Sequence, residues 1–424
     1  MKKTGDGYAL SATDLVGFLN CQYLTDLDRA VADGVRPKPA SWSPALEALW
    51  ERGAIHEDQF VAHLREQDHD VVVIDGVDVS PTAIDQTIAA MRAGSSIIVQ
   101  GALTHEGWGG RIDVLRRVET PSALGPWSYE VTDTKLARET KAGTVLQLCL
   151  YSDLVAQVQK VDPEHMDVVS PWTDFKPQRY RYHDYAAFYR KAKSALAGCV
   201  RTAGSTTYPE PKAHCEVCRW APACDKRRRE DDHLCLVAGI SKIEINELRR
   251  RGIATTSGLA QMPLPLGWKP ERGAPESYVR IREQARIQVE GRLSGEHKFE
   301  LLPVEEGFGL ARLPVPSSGD IFFDIEGDSY VGEGGLEYLF GFAFQDGSGR
   351  LAYRSEWAFS REEEKRAFET FIDFVMDRWA KHPGLHITRG RGGPAAAREG
   401  LRRSLRGGAQ GRAGERGKLF VEAP

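Results

Sequence analysis

The residues best suited to chemistry lie in YEVTDTKLA, residues 129–137. Side chains alternate along a strand, so Val131, Asp133 and Lys135 share one face while Glu130, Thr132 and Thr134 share the other. A carboxylate two residues from a lysine on one face suits metal-assisted phosphodiester hydrolysis. The carboxylate holds Mg²⁺ or Mn²⁺, and the lysine orients or deprotonates water and offsets charge in the transition state. Asp113, in GRIDVL on the preceding strand-like run, supplies a second metal-binding carboxylate if the two strands pair. Glu130 has the wrong parity to be that ligand and points away unless a bulge intervenes. The plain alternative for D-x-K is a solvated surface pair, so the neighbours matter. His56 lies within the amphipathic helical run ALEALWERGAIHEDQFVAHLREQ, and Gln147 and Tyr151 are four apart on a helix following the D-x-K strand.

A second constellation is built from thiols. Cys215, Cys218 and Cys224 have a C-x₂-C-x₅-C spacing, and a C-x₂-C knuckle lets two thiolates converge on one metal. The missing donor is Cys21, far upstream, or His214 in a zinc site. Cys149, Cys199 and Cys235 are scattered and read as small buried hydrophobes. Seven cysteines, an odd number, argue against a disulfide framework.

The order helix-His56, strand-Asp113, strand-Asp133-Thr-Lys135, helix-Gln147-x-x-x-Tyr151 resembles the RecB-type PD-(D/E)xK nucleases, over roughly residues 8–235. The resemblance implies that His56, Asp113 and Asp133 bind the divalent metal, that Lys135 is catalytic, and that Gln147 and Tyr151 assist at the active site and DNA. One cysteine upstream and three downstream of such a core resemble the iron-sulfur nucleases, the AddB-type and CRISPR-associated RecB-like exonucleases. There four thiolates, here Cys21, Cys215, Cys218 and Cys224, would hold a [4Fe-4S] cluster that ties the two ends of the domain together. Zn²⁺ is the alternative, and spacing does not separate the two.

A third constellation, DIFFDIEGD, sets Asp324 and Glu326 on one face of an apolar strand. It resembles the first motif of the DnaQ-like 3′–5′ exonucleases of the RNase H fold, whose D-x-E binds metal. Those enzymes need two further acids from later motifs, so activity from this segment is not expected. A RecB-like module followed by a DnaQ-like segment resembles a bacterial RecB-like nuclease family whose longer members continue into a superfamily I helicase. This implies DNA as partner and a helicase domain or subunit as a further one. The chain has no G-x-x-x-x-G-K-[ST] and is not expected to be a motor itself.

The elements that must position these residues follow from periodicity. Residues 8–30 read as one helix capped by Ser11, then come the His56 helix, the strand HDVVVID and the helix SPTAIDQTIAAMRAG. Period-two runs follow at IIVQGALTHE, GGRIDVLRRV and WSYEVTDTKLA, and a helix at KAGTVLQLCLYSDLVAQVQ. FKPQRYRYHDYAAFYRKAK interleaves Arg and Lys with aromatics. It suits single-stranded DNA, or equally an amphipathic segment with Tyr182, Tyr185, Phe188 and Tyr189 in the core.

The expected fold is α/β, with a restriction-endonuclease-like mixed sheet flanked by helices over 1–235. A small helical connector follows over 236–300, in which LRRRGIATTSGLA resembles half of a helix-hairpin-helix. An incomplete RNase H-like α/β domain then spans 301–387. Residues 388–424 carry eight Arg and one Lys against three Glu and read as a disordered basic tail or a frameshifted end.

At 424 residues, 41% hydrophobic and 27% charged, with a net charge of −4, the composition is globular and excludes collagen, coiled coil and wholesale disorder. With the basic end set aside, the rest is more acidic still, so DNA would be held by local patches or metal ions. The N-terminus lacks the apolar segment of a secretory signal and no run matches a membrane span, which predicts a cytoplasmic protein without membrane contact. The expected function is a metal-dependent DNA nuclease, an exonuclease on single-stranded or end-containing DNA serving repair or recombination. The rivals are a non-catalytic nucleic-acid-binding scaffold and a nonfunctional fragment of a nuclease-helicase.

Overall fold

The computed structural model describes residues 1–5, 7–39, 44–67, 70–202, 207–331 and 334–389. It is an α/β protein that divides into two compact units, Met1–Glu300 and one beginning at Leu301. The basic stretch from 390 onward lies outside the described residues.

The first unit opens with a hairpin of β1 (Lys2–Thr4) and β2 (Gly7–Ala9). Helices α1 (Ala12–Asn20), α2 (Gln22–Ala32) and α3 (Pro44–Glu66) follow. Then come β3 (Val71–Val73), α4 (Pro81–Ala93), β4 (Ile97–His105), β5 (Trp108–Val118) and β6 (Ser128–Thr134). Helix α5 (Ala142–Gln159) leads to β7 (His165–Val169), β8 (Gln178–Arg181) and α6 (Tyr182–Arg201).

Six strands form one mixed sheet in the order β3-β4-β5-β6-β7-β8. β3 and β4 run parallel, as do β6 and β7, and the remaining pairs are antiparallel. Alternation decides which side chains meet which helix. Ile98, Leu115, Tyr129, Val131, Met166 and Val168 pack beneath α1, α4, α5 and α6. Ile97, Val99, Val114 and Val169 face the other way, onto Phe60, Val61 and Leu64 of α3.

The expected single helix over residues 8–30 is two. Ser11 caps α1 in a capping box with Asp14, but Cys21 leaves the helical region (φ −157°, ψ 109°) and starts α2 afresh. The apolar period runs on across the break, which is why the pattern concealed it.

Downstream in the same unit come α7 (Ala221–Glu230), α8 (Lys242–Arg250), α9 (Thr256–Ala260) and α10 (Pro275–Ser294). The last three enclose their own apolar cluster around Leu248, Leu259 and Tyr278.

The second unit holds β9 (Ile321–Asp328), β10 (Leu336–Gln345), β11 (Leu351–Trp357), α11 (Arg361–Lys381) and β12 (Ile387–Arg389). The sheet order is β11-β10-β9-β12, with β12 parallel to β9 and the other pairs antiparallel. Ile321, Phe323 and Ile325 are buried against Ala367, Phe371 and Val375 of α11. Thr388 and Arg389, read from sequence as the start of the tail, belong to β12. Among the described residues no helix is long and apolar enough to cross a membrane.

Candidate functional site

Strand pairing brings the two acids together. Val114 on β5 pairs with Thr132 on β6, so one step along each strand sets Asp113 across from Asp133. Asp113 Oδ2 accepts the Thr134 backbone N–H at 2.9 Å and the Thr134 hydroxyl at 3.0 Å. Asp133 is fully buried. Its Oδ1 accepts Gln147 Nε2 at 3.0 Å, and the same amide donates to the Tyr151 hydroxyl at 3.3 Å. Gln147 and Tyr151 reach the acid because α5 starts just after β6 and presents residues four apart on one face. The Tyr151 ring lies over Gly110 of β5, where a Cβ would stand 2.5 Å from Cε1, so only glycine leaves room for it.

Lys135, just past the end of β6, places Nζ 2.5 Å from Asp133 Oδ2. The contact is an ion pair without hydrogen-bond direction, for Oδ2 has no hydrogen-bond partner. Burial first, and then the facing Asp113 charge, push the Asp133 carboxyl up to about 8, against the pull of Lys135. Burial works to lower the Lys135 pKa. The charges of Asp133, then Asp113 and Glu57, outweigh it and hold the pKa above its ordinary value. Lys135 is therefore a cation at neutral pH, a donor rather than a base.

His56 is 3% exposed and places Nε2 3.2 Å from the Val169 carbonyl, which also accepts the Lys135 backbone N–H at 2.9 Å. A carbonyl only accepts, so Nε2 carries the hydrogen and Nδ1 keeps a lone pair. Nδ1 is buried without a partner. Burial lowers the imidazole pKa, and the Phe175 ring lies parallel to it at 5.9 Å.

Three neighbours went unread in the sequence. Thr134 anchors Asp113 although its parity assigned it elsewhere. Gln100 Nε2 donates to Glu57 Oε1 at 2.5 Å. Glu57 adjoins His56, a signal that was available, whereas nothing in the sequence marks Gln100. Glu130 lies on the opposite face, where Arg116 bridges it to Asp167 at 3.1 and 3.2 Å and His165 sits 3.3 Å away.

Cys21, Cys215, Cys218 and Cys224 line one cavity together with His214, Trp220 and Arg228. The break at Cys21 turns it out of the helix, and the Trp220 indole donates to Asp28 Oδ1 at 3.2 Å, tying α2 to the cysteine segment. Burial raises the Cys218 thiol, with neighbouring Cys215 and Cys21 adding to it. Burial likewise pushes Cys224 up to about 11, where Arg228 pulls down and Cys218, Cys21 and Cys215 push up. All seven cysteines are free thiols, and Cys149 is buried.

Among the described residues no group of three or more His, Cys, Asp or Glu is arranged as it stands to hold a metal ion. The donor chemistry at the first site nonetheless suits a cation: a neutral histidine with a bare buried nitrogen, and a buried Asp133 carboxyl that already draws the Lys135 ammonium. At the second, four thiols share one cavity.

In the basic aromatic stretch Tyr182 and Tyr189 are buried and Tyr185 packs against the core, while Phe188 is exposed. Asp324 and Glu326 lie on the exposed face of β9, lining an open cavity with Phe322, Tyr353, Thr388 and Arg389. A scan against protein-family models found no match, and no curated protein matches this chain.

Proposed function

We propose that the protein is a metal-dependent DNA nuclease, with a restriction-endonuclease-like first unit of the RecB type and an RNase H-like second unit. The observation that carries the reading is the convergence of Asp113, Asp133, Lys135 and Gln147 at the paired ends of β5 and β6. Asp113, Asp133 and His56 would hold Mg²⁺ or Mn²⁺, which supplies Lewis-acid activation and neutralises phosphate charge. Lys135, as an ammonium, donates to the attacking water and to the phosphate as negative charge builds. Gln147 fixes the Asp133 carboxylate, and the Tyr151 hydroxyl, having accepted from Gln147, keeps its own hydrogen for substrate. Thr134 fixes Asp113.

The four cysteines would hold a [4Fe-4S] cluster, with Zn²⁺ the alternative, in a structural role. The substrate in this reading is single-stranded or end-containing DNA in repair, with a helicase as partner.

Replacing Lys135 with Ala is expected to abolish Mg²⁺- or Mn²⁺-dependent cleavage of linear DNA while DNA binding in a gel-shift assay persists. Unchanged cleavage by Lys135→Ala would overturn the assignment.

A further inference from the structure

Two loops border Lys135, and a tryptophan joins them. Residues 136–141 run from Lys135 to the start of α5, and residues 170–177 run from β7 to β8. The Trp172 indole donates to the Leu136 carbonyl at 3.0 Å, and the Thr140 hydroxyl donates to Gln178 Oε1 at 2.9 Å. The Arg138 guanidinium lies over the Trp172 ring, 4.6 Å from its centroid. Arg138 is exposed and Trp172 half-buried, so this stack stands at the surface. Arg138 is three residues past Lys135, which keeps the two backbones within about 11 Å of each other.

The second loop takes a disfavoured shape. Asp174 and Phe175 are successive non-glycine residues with φ of +50° and +57°, and strain of this kind gathers at ligand clamps and active sites. The turn sends the Phe175 ring inward, parallel to His56 and stacked on Phe60 and His63, which fastens the loop to α3.

Charge alone would make a poor DNA site here. Across the two loops Arg138, Lys141 and Lys176 stand against Glu139 and Asp174, a surplus of one positive charge. That is too little to hold a phosphate backbone, so recognition must draw on stacking. A guanidinium plane backed by an indole offers a flat surface to a base, and only an unpaired strand has base faces free to take it.

We propose that Arg138, held flat by Trp172, is a stacking plate for a base of single-stranded DNA beside Lys135, and that it selects single strands over duplex. This site rests on the nuclease reading and supplies residues that choose its substrate.

The test is binding by the full-length chain, without divalent metal, to fluorescent oligo(dT) and to an abasic strand of equal length, which keeps the phosphates and lacks the bases. The parent is expected to bind oligo(dT) about tenfold more tightly than the abasic strand. Arg138→Lys keeps the charge and removes the plane, so it should lose that advantage on oligo(dT) and leave abasic binding unchanged. Trp172→Leu should act like Arg138→Lys, and Trp172→Phe should recover most of the difference. Arg138→Lys carries the test if Trp172→Leu does not fold by circular dichroism. Equal losses on both strands, unchanged oligo(dT) binding in Arg138→Lys, or no preference in the parent would each overturn the plate, with the nuclease reading still standing on Lys135. A parent that prefers oligo(dT) through Arg138 yet cleaves no DNA with Mg²⁺ or Mn²⁺ would uphold the plate as a binding site and overturn the nuclease reading.

Discussion

At the scale of single residues, Asp133 links the site to the stability of the fold. Its carboxyl is lifted from an ordinary 3.8 to about 8, chiefly by burial and next by Asp113. The folded state therefore holds this proton more tightly than the unfolded chain, and stability from the protonated form is lost as pH rises from 3.8 towards 8. Burial moves His56 the other way, so its contribution is lost only below its ordinary 6.5. Between pH 6.5 and 8.5 the Asp133 effect is thus isolated from that of His56. The melting temperature of the metal-free protein should fall across this window, and Asp133→Asn should flatten the slope. A wild-type profile that rises or stays level would show that Asp133 is ionised throughout. Added Mn²⁺ should compete with the same proton and reduce the pH dependence.

At the scale of elements, β4, β5 and β6 were legible because period two needs only the sequence, whereas β1, β2, β7 and β8 were not read. Asp133 and Lys135 could be placed on one face before any pairing was known, and Asp113 joined them only once β5 paired with β6. Gln147 and Tyr151 were legible from helical spacing. The break at Cys21 was not, since GFLNCQYL keeps its apolar period while the backbone turns extended at one residue. Nor were Glu57 and Gln100, whose meeting depends on a left-handed residue inside a strand that propensity would never place there. The break has a consequence. Cys21 faces the cavity of Cys215, Cys218 and Cys224, and a clip there closes about two-thirds of the first unit into a loop, worth on the order of 5 kcal/mol of unfolded-chain entropy. Anaerobically purified protein should contain about four irons and four sulfides per chain, as four thiolates imply for one cubane cluster. Cys21→Ser should lose both the colour and several degrees of melting temperature. One zinc per chain, indifferent to Cys21→Ser, would assign a local knuckle with no stitching role.

At the scale of the whole molecule, the question is which unit cleaves. Both present acids two strand residues or one strand pair apart, but their surroundings differ. In the first unit Asp133 is fully buried and pairs with Lys135, and Asp113 is half-buried across from it. In the second, Asp324 and Glu326 stand on the exposed face of a sheet covered by α11 on its other side. Glu326 also has Glu337 for a neighbour, whose carboxyl is raised first by burial and then by Glu364, while Arg389 and Arg361 pull it back. The first pair has Lys135 beside it to act in the chemistry, whereas the cavity of Asp324 and Glu326 is lined by Arg389 and by no described lysine. Asp324→Asn with Glu326→Gln in the full-length chain should therefore leave Mn²⁺-dependent cleavage at the wild-type rate, under conditions where Lys135→Ala abolishes it. The reverse result, cleavage surviving Lys135→Ala and vanishing with the second pair, would move the chemistry to the open face of β9. The acids of β5 and β6 would then be a charge network serving stability alone.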